Sequence, residues 1–279
     1  MNSKLFYQNN GFLAVKNNDE KFYNLCLQAG KISYEFATGK RKAKQKWKAK
    51  DGNIKQSVDV HRHSDLFRDI IYSQPVRKII SNVFGNNPTF VNHSKISFKF
   101  NNQQKWFPHQ DVAYKKDKKN MGITICVHLD NIKKENGALV CFNQSHKNGF
   151  VEHDVVFSEI ESDPQICANN YEQYEKTIIE GNIGDILYFD FNTIHSSEGN
   201  QSNGCRPIFI FEVEAIKGIP LEADGKKAIT FNYNYPNFFV ILPKRIINYF
   251  RNQIIFPVLK KILNMMNKFG LLYKLKIKS

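Results

Sequence analysis

Residues 182–191, NIGDILYFDF, and residues 206–216, RPIFIFEVEAI, decide the fold. Both are short runs dense in Ile, Phe, Tyr and Val, residue types that suit a pleated, half-buried surface. Working outward, TFVNHSKISFKF (89–100) alternates around β-formers and MGITICVHLDNI (121–132) reads as a further strand. The turn KKENG (133–137) then leads into ALVCFNQSH (138–146). Short strands with turn signals between them indicate a barrel or jelly roll. Residues 64–84 differ: Leu66, Ile70, Ile71, Val76, Ile79, Ile80 and Val83 recur at helical spacing, with Ser64 and Asp65 suited to a helix start. Residues 5–16 read as a short helix or turn before a strand, and the polar stretch 150–180 reads as a loop over one mouth. The class is mainly β, of α+β type, with flanking helices.

A chain of 279 residues, 42% hydrophobic and 24% charged, can bury a sizeable core. Its five cysteines are odd in number and scattered, which argues against a disulfide framework and for reduced thiols in a cytoplasmic protein. The opening MNSKLFYQNNGF lacks the basic-then-apolar order of a signal peptide, and no stretch approaches the ~18 apolar residues of a spanning helix.

The net charge of +14 is unevenly placed. Residues 243–279 hold nine Lys/Arg and no acidic residue, leaving +5 for residues 1–242. In that tail Ile247, Phe250, Ile254, Val258, Ile262, Met265, Phe269 and Leu272 recur every three or four residues, a basic amphipathic helix broken near Pro257. It suits packing on the barrel or a second subunit. It equally suits peripheral contact with an anionic membrane, where each basic residue contributes about 1 kcal/mol. The sequence therefore divides into a domain over 1–220 and a linker with helical tail over 221–279.

The chemistry gathers in KWFPHQDVAYK (105–115) and FDFNTIHSSEGN (189–200). His109 and Asp111 are two residues apart, and on an extended chain such residues share a face. His195 follows 86 residues later, just after a strand. Two imidazoles and one carboxylate form the facial triad of non-haem iron(II), which leaves adjacent positions for a bidentate oxoacid and dioxygen. Arg206, eleven residues beyond His195, offers a planar fork to the far carboxylate of such an oxoacid, and Ser197 can add a hydroxyl. Tyr114 is a candidate for the pocket wall. Lys99 is a candidate partner for an anionic substrate or for the oxoacid, with a solvated strand lysine as its plainer reading.

These segments resemble the phytanoyl-CoA dioxygenase-like group of iron(II)- and 2-oxoglutarate-dependent oxygenases. NNGFLAVKN (9–17) looks like its opening strand and HQDVAY (109–114) like its first ligand motif. NGALVCFNQSHKNG (136–149) and GDILYFDFNTIHSSEGNQSNGCR (184–206) resemble its Gly-turn strand and second ligand motif. The resemblance runs over about residues 5–215. It departs at Asn143-Gln144, where the family often has Pro-Gly, and at Glu198-Gly199. The resemblance implies a double-stranded β-helix. It also implies an iron(II) enzyme with 2-oxoglutarate and O2 as cosubstrates, hydroxylating a small or lipid-linked metabolite and releasing succinate and CO2. Related halogenases lack the carboxylate, so Asp111 argues for hydroxylation.

Plainer readings apply elsewhere. His128 and His146 read as structural, the latter bonded to a loop carbonyl, and His61 and His63 as solvated surface. Cys126 and Cys141 read as packed thiols. The run GKRKAKQKWKAK (39–50) has seven basic residues, but no nucleic-acid module accompanies it. A rival function is a non-catalytic metal-binding jelly roll docking through its tail; the intact triad with Arg206 argues against it.

Overall fold

The computed structural model describes residues 3–44, 46–48, 54–85, 87, 89–101, 106–115, 121–156, 165–215 and 229–231. The basic tail 243–279 and the boundary drawn at 220 lie outside the described residues.

The chain opens with α1 (Ser3–Asn10) and β1 (Phe12–Val15), as the reading of 5–16 expects. An unforeseen helix, α2 (Glu20–Ala37), follows; the side chain of Asp19 caps it by accepting the Phe22 N–H. After β2 (Lys46–Lys48) and β3 (Ile54–Val58), the helical spacing over 64–84 resolves into two helices, α3 (Asp65–Tyr72) and α4 (Gln74–Phe84). Ser73, extended at φ −61° and ψ 155°, ends one and starts the next. Pro75 in the first turn of α4 has no N–H to continue a single helix.

Strands make up the rest: β4 (Thr89–Lys99), β5 (Trp106–His109), β6 (Gly122–His128), β7 (Leu139–Phe142), β8 (His153–Val156), β9 (Gln165–Ala168), β10 (Lys176–Ile179), β11 (Ile186–Asp190), β12 (His195–Ser197), β13 (Arg206–Ala215) and β14 (Ile229–Phe231). The stretch 150–180, expected as a loop, instead supplies β8 and β9, which pair with each other, and β10. These strands are four residues each, too short for alternation to stand out.

The larger sheet runs β1-β11-β6-β13-β4-β3-β2, with β14 parallel to β4; the smaller runs β10-β7-β12-β5. Side chains from both sheets meet in one apolar cluster: Phe12, Cys126, Leu187, Phe189 and Ile208 from the larger, Cys141 and Ile179 from the smaller. Two antiparallel sheets facing across a core make the expected jelly roll.

Alternation along the larger sheet assigns its faces. Ile123, Ile125 and Val127 of β6 and Phe209, Phe211 and Val213 of β13 pack with Phe67, Ile70, Ile71, Ile79 and Ile80 of the helices. Phe67 and Phe209 stand 4.9 Å apart, centroid to centroid. Burying each such side chain contributes about 1.5–3 kcal/mol. The intervening residues, Thr124 and Cys126 of β6 and Arg206, Ile208, Ile210 and Glu212 of β13, therefore face inward and line a cavity between the sheets.

Candidate metal and oxoacid site

β5 and β12 are neighbours in the smaller sheet, and their register makes His109 and His195 direct partners. Their ring centroids are 4.4 Å apart. β5 ends at His109, so Asp111 sits in the 3-10 turn that follows and not on a strand as expected. Gln110 between them nevertheless keeps extended angles (φ −112°, ψ 137°), so the two side chains still share a side. Gln110 itself points the other way and is fully buried. Its amide donates to the carbonyls of Gly149 (2.8 Å) and Asn192 (2.6 Å) and accepts the Val151 N–H (2.9 Å). That clamp fixes the backbone from which both neighbouring side chains project.

The ligand atoms of His109, Asp111 and His195 all lie within 4.8 Å of one another. The Nδ1 atoms are held by backbone carbonyls two residues back, Phe107 O at 2.7 Å for His109 and Thr193 O at 3.1 Å for His195. Each ring therefore keeps Nε2 as its donor to a metal. His195 Nε2 is 3.7 Å from Asp111 Oδ1, and the Thr124 hydroxyl donates to Asp111 Oδ2. Burial and the neighbouring His195 push the His109 imidazole down to about 3, so it is neutral at physiological pH. Burial works against the ionised form of Asp111, but His195, His109, Lys95 and the Thr124 bond together hold its carboxyl below the usual range. Neutral imidazoles and an ionised carboxylate are the protonation states that metal binding requires. Two nitrogens and one oxygen, buried and convergent, fit non-haem iron(II).

Arg206 and Lys99 are cross-strand partners on β13 and β4, both 3% exposed. Lys99 Nζ donates to Ser197 Oγ at 2.5 Å and to the Glu198 carbonyl. Arg206 donates to the carbonyls of Gly137 and, at 3.4 Å, Asn136. Burial pulls the guanidinium down to about 10, still cationic at neutral pH. Among the described residues no carboxylate forms an ion pair with Arg206. The solvated-lysine reading of Lys99 is thus replaced by a buried one. The structure brings Lys99, Ser197 and Arg206 together at one end of the cavity that His109, Asp111 and His195 also line.

That cavity measures about 720 Å³. Tyr114 stands at its mouth, 59% exposed and edge-on to His109 at 5.9 Å. Further polar groups of the cavity wall escaped the sequence reading, Thr124, Lys95 and Lys55 among them. Thr124 and Lys95 occupy inward positions on strands that were recognised, so alternation alone could have flagged them. Lys55 could not have been found this way. The β2–β3 register pairs Trp47 with Gln56 and Lys48 with Ile54, leaving Lys55 as an extra, bulged residue. The bulge lets both Lys55 and Gln56 reach the cavity, with Lys55 Nζ 4.4 Å from the Trp106 ring centroid.

Of the remaining histidines, His93 lines the cavity and His153 accepts the Gln110 N–H at 3.0 Å, while the others lie apart. His128 is buried, but among the described residues its Nδ1 lacks the hydrogen-bond partner expected of a structural histidine, and His146 contacts the Gln8 carbonyl at 3.1 Å. His61, expected at the surface, is fully buried, with Nδ1 2.5 Å from Ser94 Oγ.

Known proteins share this fold and part of this sequence. A relative from Stutzerimonas stutzeri, named a probable alpha-ketoglutarate-dependent hypophosphite dioxygenase, is 26% identical over 176 residues. The match spans 62% of this chain and 61% of that relative. The solved structure of EctD from S. alaskensis with 2-oxoglutarate and 5-hydroxyectoine superposes with a TM-score of 0.61 at 14% identity, over 78% of this chain and 77% of that one. The alpha ketoglutarate dependent epimerase SnoN from nogalamycin biosynthesis gives a TM-score of 0.59 at 15% identity, over 76% and 80% respectively. At such identities the structural likeness speaks for the fold. The sequence profile of the phytanoyl-CoA dioxygenase family matches residues 7–208, and the chain belongs to that family.

Proposed function

We propose that this chain is an iron(II)- and 2-oxoglutarate-dependent dioxygenase that hydroxylates a small molecule. One observation carries the reading: a buried two-imidazole, one-carboxylate set faces the same cavity as a buried arginine without a carboxylate partner among the described residues. Leaving a buried cation uncompensated is costly, and a dicarboxylate offers the missing charge. The S. stutzeri relative, named as alpha-ketoglutarate-dependent, supports the same cosubstrate.

In this reading His109, Asp111 and His195 hold the metal, which supplies dioxygen activation and the oxidising power. Arg206 grips the far carboxylate of the oxoacid through its fork, while Lys99 and Ser197 orient the same end. Thr124 fixes the rotamer of Asp111, and the carbonyls of Phe107 and Thr193 fix the tautomers of the two rings. The apolar inward residues Phe189, Ile208 and Leu139 reduce water at the reacting centre.

The test is anaerobic titration of the iron(II)-loaded full chain with 2-oxoglutarate, followed by succinate measurement after oxygen is admitted. Saturable binding and iron-dependent succinate formation are expected. Absence of both 2-oxoglutarate binding and 2-oxoglutarate consumption would sink the proposal. Arg206→Gln should weaken 2-oxoglutarate binding roughly 30- to 150-fold, the loss of a charge-assisted bond of about 2–3 kcal/mol.

A further inference from the structure

β4 presents four polar side chains in succession to the cavity: His93, Lys95, Ser97 and Lys99. These are same-face positions, so Lys95 and Lys99 stand about 13 Å apart along the strand, at roughly 3.3 Å per residue. Lys99 belongs to the Arg206 end, through Ser197 and the Glu198 carbonyl. Lys95 lies further along, across from Ile210 on one side and Val58 on the other. It lines the same cavity as His109 and Asp111, and its charge acts on both.

The acidic and basic groups around Lys95 are already engaged. Glu212 also lines the cavity, but its carboxylate is held by Lys115, which binds Glu214 as well at 2.8 Å. His93 faces Asp59 at 3.2 Å. Asp111 is bound by Thr124 and belongs to the ligand set. Among the described residues no carboxylate lies within ion-pair distance of Lys95. A half-buried ammonium facing an enclosed space favours whatever brings an opposite charge to it. The Arg206 end answers to one carboxylate of the oxoacid. Lys95 therefore asks for a second anion, and a cavity of about 720 Å³ is large enough for a second small molecule.

We propose that Lys95 determines substrate specificity by binding an anionic head group, a carboxylate or a phosphorus oxyanion, on the small molecule that is oxidised. The two anions then occupy different stretches of one strand, the oxoacid at Lys99 and Arg206 and the substrate at Lys95. This inference rests on the oxygenase reading above.

The test uses the full chain loaded with zinc(II), which cannot be oxidised, and saturated with 2-oxoglutarate. Calorimetry measures binding of hypophosphite, methylphosphonate and propionate, with propionamide as the neutral counterpart. At least one anion should bind and propionamide should not. Lys95→Gln should weaken that anion tenfold or more while 2-oxoglutarate affinity stays within twofold, and Lys95→Arg should restore most of the loss. Hypophosphite and methylphosphonate binding without propionate identifies the phosphorus oxyanion, and the converse identifies the carboxylate. The proposal is overturned if no anion binds, if propionamide binds as well, or if Lys95→Gln leaves the anion's affinity unchanged. It is also overturned if Lys95→Gln and Lys95→Arg both abolish 2-oxoglutarate binding, which would assign Lys95 to the oxoacid. Failure of the unsubstituted chain to bind 2-oxoglutarate would instead strike the oxygenase reading itself.

Discussion

The Gly137 carbonyl accepts a hydrogen bond from Arg206 Nη2, and Gly137 does so at a φ of 91°, where side chains are disfavoured. A Cβ at this position would collide with Lys99 Cδ and come within 3.0 Å of the Glu198 carbonyl. The glycine thus admits two cations side by side, and its substitution should be felt at the anion they receive. Gly137→Ala is expected to weaken 2-oxoglutarate binding at least tenfold with metal affinity nearly unchanged. Parallel titrations with the oxoacid and with the metal check this, and equal loss of both would contradict it.

Thr124 touches no metal in this arrangement, yet its hydroxyl sets the position of Asp111. Outer partners of metal ligands typically contribute 10- to 100-fold in affinity. Thr124→Val, nearly equal in volume, should lower iron(II) affinity by about that factor. Competition with a chelator of known affinity measures it, while Thr124→Ser should retain most of the binding.

Gln144 stands at φ 63°, a left-handed conformation that costs a non-glycine residue roughly 1–2 kcal/mol. It occupies the place where the family often carries the glycine of a Pro-Gly pair. Gln144→Gly removes that strain but frees the unfolded chain, at a cost of about 0.5–1 kcal/mol. A net gain of about 0.5 kcal/mol is expected, read as a higher urea midpoint at unchanged m-value.

Buried imidazoles give the stability a pH dependence of definite sign. Burial pushes His61 and His128 down to about 4, and burial with His195 pushes His109 down to about 3. In the unfolded chain they take up protons near pH 6.5. Between those values the unfolded state binds protons that the folded state refuses, so stability falls as pH drops from about 6.5 toward 4. Asp111, lowered from 3.8, acts only below that window. The urea midpoint of the metal-free chain should fall steadily from pH 7 to pH 5. A flat profile would show that these rings are not buried neutral.

Much of this was legible in the sequence because alternation on long strands is a reliable guide to faces. TFVNHSKISFKF and RPIFIFEVEAI mark their strands without any structure, whereas the side on which Lys99 lies stayed open between solvent and pocket. Their mutual register, which makes them partners, is a tertiary fact and was invisible. α2 is hard to read although Phe22, Cys26 and Ala29 bury one of its faces, because the large exposed Tyr23 and Tyr34 blur its apolar stripe. β8 and β9 are too short to announce themselves, and the bulge at Lys55 breaks the alternation that sequence reading relies on. The 3-10 turn at Asp111 follows an extended Gln110 whose buried amide anchors the chain to the Gly149 and Asn192 carbonyls.

The pairing of His109 with His195 has a consequence for biogenesis. The two lie 86 residues apart in the chain, and Arg206 comes later still. During synthesis, a nascent chain that has emerged only as far as β11 possesses two of the three metal donors and cannot close the centre. Such long-range closure is slow compared with forming helices. On the proposed reading, iron capture is a late event that waits for β12 to join the smaller sheet, and chains released before residue 195 lack the third donor.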